Sequence, residues 1–186
     1  RLPALQAITC AFDDVTHQIT LHHPDLPDLT FNPDTNAQAL LSWVAPLIPK
    51  ESGRQPGRLV RAAARGMTDT DFPSVTLCNL SSHRAVQDRV GRALSIHRWR
   101  GNIWIDGLAP WEEFDWVGHE VQVGEAVFAV RERAVRCRAT ESNPDTGRRD
   151  TNVLGALKSW DHQDFSVYAE VIRDGAVTLN DGVYRL

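Results

Sequence analysis

The sequence predicts a mainly β, α+β chain: a β-rich barrel with a few peripheral helices. Three observations carry that expectation. Short runs rich in Val, Ile and aromatic residues alternate apolar with polar positions and are broken by Gly, Pro and Asp turns. Only 36–44, 82–90 and 153–160 show helical spacing. Glu120–Val123 and Ala126–Val130 flank a two-residue Gly124-Glu125 turn, the pattern of a tight hairpin. Many short strands with few helices fit a barrel better than a layered α/β fold.

In chain order, residues 4–12 read as a strand with Ile8, Cys10 and Phe12 on one face, which places Cys10 in a core. Asp13-Asp14 turns the chain into a return strand from His17 to Leu21. His22-His23 is poorly placed to chelate a metal, because adjacent strand residues point to opposite faces. Asn36–Val44 reads as a helix, capped near Thr35 and stopped by Pro46. Residues 49–58 are linker-like and set a boundary between a 1–57 segment and a 58–186 domain. A strand is expected from Leu59-Val60, then a polar loop at Met67–Asp71 and a strand at Val75–Leu80 with Cys78 in the core. Ser81 or Ser82 would cap a helix carrying Ala85, Val86 and Val90 and closed by Gly91. His97–Gly107 reads as a strand, and Pro110–Trp116 as acidic and aromatic surface. A strand over 132–139 follows the hairpin. Val153–Trp160 is helical, and Phe165–Val171 and Ala176–Leu179 are closing strands.

With 186 residues the chain can hold one domain and a small attachment. No apolar run is long enough to span a bilayer. Cys10, Cys78 and Cys137 form no C-x-x-C pair, which argues against a zinc site or a disulfide framework and for a reducing, cytoplasmic setting. Nine arginines fall in 54–100, while 101–130 carries six acids and no Lys or Arg. Arginine's planar fork suits bidentate phosphate recognition. That basic section fits an anionic ligand or a solvated surface. No stacking motif points to nucleic acid, and none is expected.

The stretch Arg133-Ala-Val-Arg-Cys137-Arg-Ala-Thr140 runs a strand into a lone cysteine before an Asn-Pro-Asp-Thr-Gly147 turn. Alternation puts Val135, Cys137 and Ala139 on one face and Arg136 and Arg138 on the other. Cys137 is then either a buried structural thiol or one presented to a ligand beside cations, which favour thiolate.

Arg136-Cys137 with Thr140 and the Pro-Asp-Thr-Gly turn resembles the cysteine motif of the MOSC domain family. Three further segments resemble that family in the same order: Thr68-Asp69 leading to Val75-Thr-Leu-Cys-Asn-Leu-Ser-Ser82, Trp99-Arg-Gly-Asn-Ile-Trp-Ile-Asp-Gly107, and Phe165-Ser-Val-Tyr168-Ala-Glu-Val. The resemblance implies a MOSC-type β-barrel over 58–186, with 1–57 as the tail of a preceding β-barrel domain. It also implies the molybdenum cofactor (molybdopterin), with Cys137 as the metal ligand and catalytic sulfur. Arg100, Asn102, Arg136 and Tyr168 would contact that cofactor, with Asp69, or Asp71 as its rival, supplying the acidic residue. Gly101 stands where the family has proline, which would loosen that loop.

The bland readings are an Arg100 ion pair with Asp106 or Glu112, an Asn102 that only satisfies backbone, a core Tyr168 and a Thr140 bonded within its turn. A Tyr-Pro-Val-Lys-Ser-type segment found upstream in relatives is missing, so the implied phosphate clamp is incomplete within these residues. The activities implied are reduction of N-hydroxylated or other N-oxygenated small molecules, with electrons from a separate redox protein, or sulfur carriage on a Cys137 persulfide. A non-enzymatic anion-binding module is the alternative.

Overall fold

The computed structural model describes residues 2–53, 55–62 and 66–186. Arg54 and Arg65, two of the nine arginines above, lie outside the described residues. The chain divides into two compact units, Arg1–Arg61 with Glu141–Thr151, and Ala62–Thr140 with Asn152–Leu186.

In the first unit β1 (Thr9–Asp13), β2 (Gln18–His23) and β3 (Leu26–Phe31) form an antiparallel meander. Helix α1 (Ala37–Val44), with Asn36 in the capping position, packs Trp43 onto Leu21 and Phe31. The Trp43 indole donates to Pro27 O at 2.6 Å. Cys10 is exposed, against expectation: every residue of β1 is exposed, because β1 is the sheet edge and the apolar cluster is built on β2, β3 and α1. His22 and His23 do point to opposite sides. His23 is buried against Ala4 O, while His22 lies 2.7 Å from Asp28. The 143–147 segment is a turn, with Gly147 N on Asn143 O at 2.8 Å.

The second unit carries the sheet that positions the candidate site. Its strands are β4 (Val75–Asn79), β5 (Ile103–Ile105), β6 (Glu120–Val123), β7 (Ala126–Val135), β8 (Asp164–Arg173) and β9 (Val183–Arg185), in the order β5-β4-β8-β7-β6-β9. Only β4 and β5 pair in parallel, and α2 (Leu80–Val90) makes their crossover. The side chains of β4 alternate between two cores. Leu77 joins Val121, Phe128, Val130 and Val167 on one face, and Cys78 joins Val86, Trp99 and Phe165 on the other, under α2 and α3 (Val153–Lys158). The two edge strands, β5 and β9, line one cavity of about 680 Å³, so the sheet curls into a half-barrel. The architecture is mainly β with peripheral helices, as the sequence predicts. Among the described residues no helix is long and apolar enough to cross a membrane.

Several elements differ from expectation. The cap of α2 is Asn79, whose Oδ1 accepts from Ser81 N at 2.8 Å, not Ser81 or Ser82. Gly91 closes that helix at φ +72°, with Gly91 N and Arg92 N both returning to Gln87 O. Leu59 and Val60 form no strand and are exposed. The 97–107 segment keeps only Ile103–Ile105 as strand, after a short 3-10 turn over Ile96–Trp99. Residues 176–179 have strand-like side chains but no ladder. Asp181 ties Thr178 into a turn through Thr178 N and Oγ1, and the last strand forms at Val183–Arg185 instead. Pro110–Trp116 is not surface packing, since its 3-10 turn buries Glu113, Phe114 and Trp116.

Candidate functional site

The end of β7 reverses the expected faces. The alternation holds, but Ala134 and Arg136 point inward while Val135 and Cys137 are exposed. Inward is where the arginine finds acceptors. Arg136 Nε donates to Phe165 O (2.9 Å), Nη1 to Trp99 O (3.0 Å) and Nη2 to Ser166 Oγ (2.6 Å). Its backbone is clasped as well, with Arg136 N on Gln163 O (2.9 Å) and Gln163 Nε2 on Arg136 O (2.6 Å). Every one of these acceptors is neutral, and among the described residues no carboxylate lies within ion-pair distance of the guanidinium. Burial lowers its pKa, while Cys78, Tyr168, Asp69 and Cys137 act in the opposite sense. A buried cation held by neutral groups leaves a positive field for something else to neutralise.

Arg136 lines a cavity of about 230 Å³ together with Asp69, Trp99, Arg100, Asn102, Thr76 and Tyr168. Trp99 is fixed by stacking on Phe165, centroids 3.6 Å apart, and by donating its indole N–H to His83 Nδ1 at 2.9 Å. Arg100 follows in the left-handed region at φ +56° and is exposed. It pairs with neither of its expected acids: Asp106 binds Arg84, and Glu112 accepts from Ala109 N. Asn102 is clamped by its oxygen, which accepts from Thr76 N (2.9 Å) and Thr76 Oγ1 (3.0 Å). That bond does satisfy backbone, yet it leaves the amide NH2 without a partner among the described residues. The Tyr168 hydroxyl likewise has none there. Burial raises the Tyr168 pKa; Arg136 opposes the shift, and Asp69, Glu132 and Cys137 add to it.

Five of the sequence-predicted residues, Asp69, Arg100, Asn102, Arg136 and Tyr168, thus meet at one cavity. Cys137 does not line the cavity; it follows Arg136 in sequence, is exposed, and is within electrostatic reach of Arg136 and Tyr168. Asp71 is exposed and does not line the cavity. Thr140 bonds within its turn, Oγ1 to Cys137 O at 3.0 Å. Gly101 is not a loosening substitution: a Cβ there would lie 2.5 Å from Cys78 Sγ, so the loop runs too close to the core for any side chain. Among the described residues no cluster of three or more His, Cys, Asp or Glu could hold a metal by itself.

Sequence reasoning missed Glu113. It is fully buried, takes Asn79 Nδ2 (2.8 Å) and Ser82 Oγ (2.9 Å), and ties the start of α2 to the 3-10 turn. An acid inside an aromatic run carries no periodic signal. Thr76 and Ser166 were missed too, although both lie within segments that carried the resemblance.

The model of the MOSC domain matches residues 67–184, a stretch holding every candidate residue above. The chain belongs to the MOSC family. Members of that family are associated with molybdenum-cofactor proteins. The molybdenum cofactor sulfurase of Anopheles gambiae is 26% identical over 140 residues, which cover 68% of this chain. The chain spans only 18% of that relative's length. The crystal structure of YiiM from Geobacillus stearothermophilus aligns with a TM-score of 0.45 at 16% identity, over 60% of this chain and 53% of that one.

Proposed function

We propose that this MOSC protein binds the anionic part of a molybdenum–pterin cofactor at the Arg136 cavity, with Cys137 as the protein's sulfur ligand. One observation carries the reading. A buried guanidinium with no carboxylate partner sits next in sequence to an exposed cysteine. At about 230 Å³ the cavity is below the usual volume of a whole-ligand pocket, so it takes a phosphate or one ring rather than the entire group. The donor set fits that assignment. Arg100 and the Asn102 amide offer N–H groups to oxyanions, and Arg136 supplies a fixed positive field. Tyr168, with its raised pKa, stays a neutral donor, and Asp69 accepts from ring N–H groups. When bound, the group supplies oxygen-atom chemistry at the metal. We extend the reading to reduction of N-oxygenated small molecules with electrons from a separate redox protein, with 58–186 as the MOSC domain and 1–57 as part of a preceding barrel. That extension rests on the family resemblance.

The test is elemental analysis for molybdenum on protein made in a host that synthesises the cofactor. Metal should be present in the unaltered chain and absent in Cys137→Ser. A second reading, sulfur carriage, is favoured by the exposure of Cys137 and by the sulfurase named above. A cyanide-labile sulfur on metal-free protein, lost in Cys137→Ser, would support it and sink the cofactor reading.

A further inference from the structure

Residue 166 lies in β8 at a place where the backbone asks for glycine. Between the pairs Arg133↔Val167 and Val135↔Asp164, β8 spends one residue more than β7, which is a β-bulge. Ser166 sits in that bulge at φ +66°, the left-handed region that achiral Gly adopts freely and that L-residues other than Asn and Asp enter only at a steric cost. It is fully buried, so solvent does not account for a hydroxyl there. Its Oγ instead accepts from Arg136 Nη2 at 2.6 Å, and the hydroxyl also meets Cys78. The same bulge turns Phe165 O toward Arg136 Nε at 2.9 Å. Two prongs of the guanidinium fork are therefore set by adjacent bulge residues, and the third by the carbonyl of Trp99, which itself lines the cavity.

We infer that Ser166 is a positioning residue: its strained placement in the bulge exists to fix the Arg136 fork, and so the orientation of the cation that faces the cavity. The inference rests on the anion-site reading above and adds the residue that orients its buried cation. Strained residues of this kind persist where surrounding structure over-determines them, and bulges re-aim side chains beside functional sites. Glycine would relieve the backbone but drop the acceptor. Alanine would keep the strain and drop the acceptor.

That contrast makes the test. Inorganic phosphate is titrated calorimetrically into the full chain and into Ser166→Ala, Ser166→Gly and Arg100→Gln, with the melting temperature of each measured alongside. Ser166→Gly should melt above Ser166→Ala by about 2–4 °C, because it sheds the left-handed strain. Both should lose phosphate affinity to the same extent, about tenfold, since both lack Oγ. Affinity that follows stability, recovering in the glycine variant, overturns the inference and makes Ser166 structural. Unaltered affinity in both Ser166 variants overturns it as well. Arg100 is exposed, so Arg100→Gln tests the underlying reading without a folding penalty. If phosphate binds equally well without Arg100, or does not bind the unaltered chain, the cavity is not an anion site and both readings fall.

Discussion

Arg136 shows how a single side chain can decide which face of a strand is inside. Apolar alternation alone would bury Val135 and Cys137, yet Val135 is 67% exposed and Arg136 only 9%. Three neutral acceptors at 2.6–3.0 Å outweigh the burial of one valine, because leaving Phe165 O and Trp99 O unbonded in the interior would cost about 1–3 kcal/mol each. Arg136→Gln should therefore destabilise the fold by roughly 3 kcal/mol in urea denaturation, since an amide cannot reach all three. Cys137→Ser should leave stability within about 0.5 kcal/mol, because its side chain is exposed. A large loss on Cys137→Ser would mean that the thiol is structural after all. The candidate residues were legible one by one, in the Arg136-Cys137 and Arg100-Gly-Asn102 runs. Their inward or outward sense was not, because it depends on carbonyls contributed by residues 99 and 165, far away in sequence.

At the scale of elements, the close approach of the 100–102 loop to β4 is the feature the sequence hides best. Gly101 and Cys78 share one volume: the Cβ that Gly101 lacks would stand 2.5 Å from Cys78 Sγ. Gly101→Ala should cost about 1–3 kcal/mol by overpacking, and most of that should vanish in a Cys78→Ala background. A double-mutant cycle with no coupling would show that the loop can retreat. The hairpin, α1, α2, α3 and strands β2, β4 and β8 could be read from periodicity and turn residues, since those signals are local. Strand β3 was missed, and Pro3–Ala7, where the first strand is expected to begin, is a 3-10 turn. The expected 132–139 strand is the end of one long strand, Ala126–Val135, running into a 3-10 turn at Arg138–Glu141. The strand over 176–179 could not be excluded, nor β9 found, because a strand is completed by its neighbour's ladder. Val183–Arg185 pairs with β6, whereas Thr178 is held by Asp181. Glu113 is the same lesson for a polar group. Only the fold brings Asn79 and Ser82 onto its carboxylate.

For the whole molecule, the pH dependence of stability combines these buried groups, and their signs differ. His83 and His162 are pushed below 6.5 by burial, so the unfolded chain binds more protons and stability is lost as pH falls through 6.5. Burial of Glu113 raises its pKa above 4.5, so the folded chain binds more protons there, and stability is gained as pH falls. The acid limb is thus a contest between opposing groups. The alkaline limb is not. Cys78 is pushed from 9.0 to about 11, chiefly by desolvation in a site with no solvent exposure. Between those values the folded chain keeps a proton that the unfolded chain releases, so stability falls with rising pH by roughly 2–3 kcal/mol. Tyr168, raised above 10.0, acts in the same direction at the upper end. Urea midpoints measured from pH 8 to 11 should fall steadily in the unaltered chain. In Cys78→Ala the midpoint should start lower, because a cavity is left, but decline less steeply over the same range. Equal slopes in the two proteins would mean that Cys78 titrates as an exposed thiol, and that the core between α2 and β8 opens to water far below global unfolding.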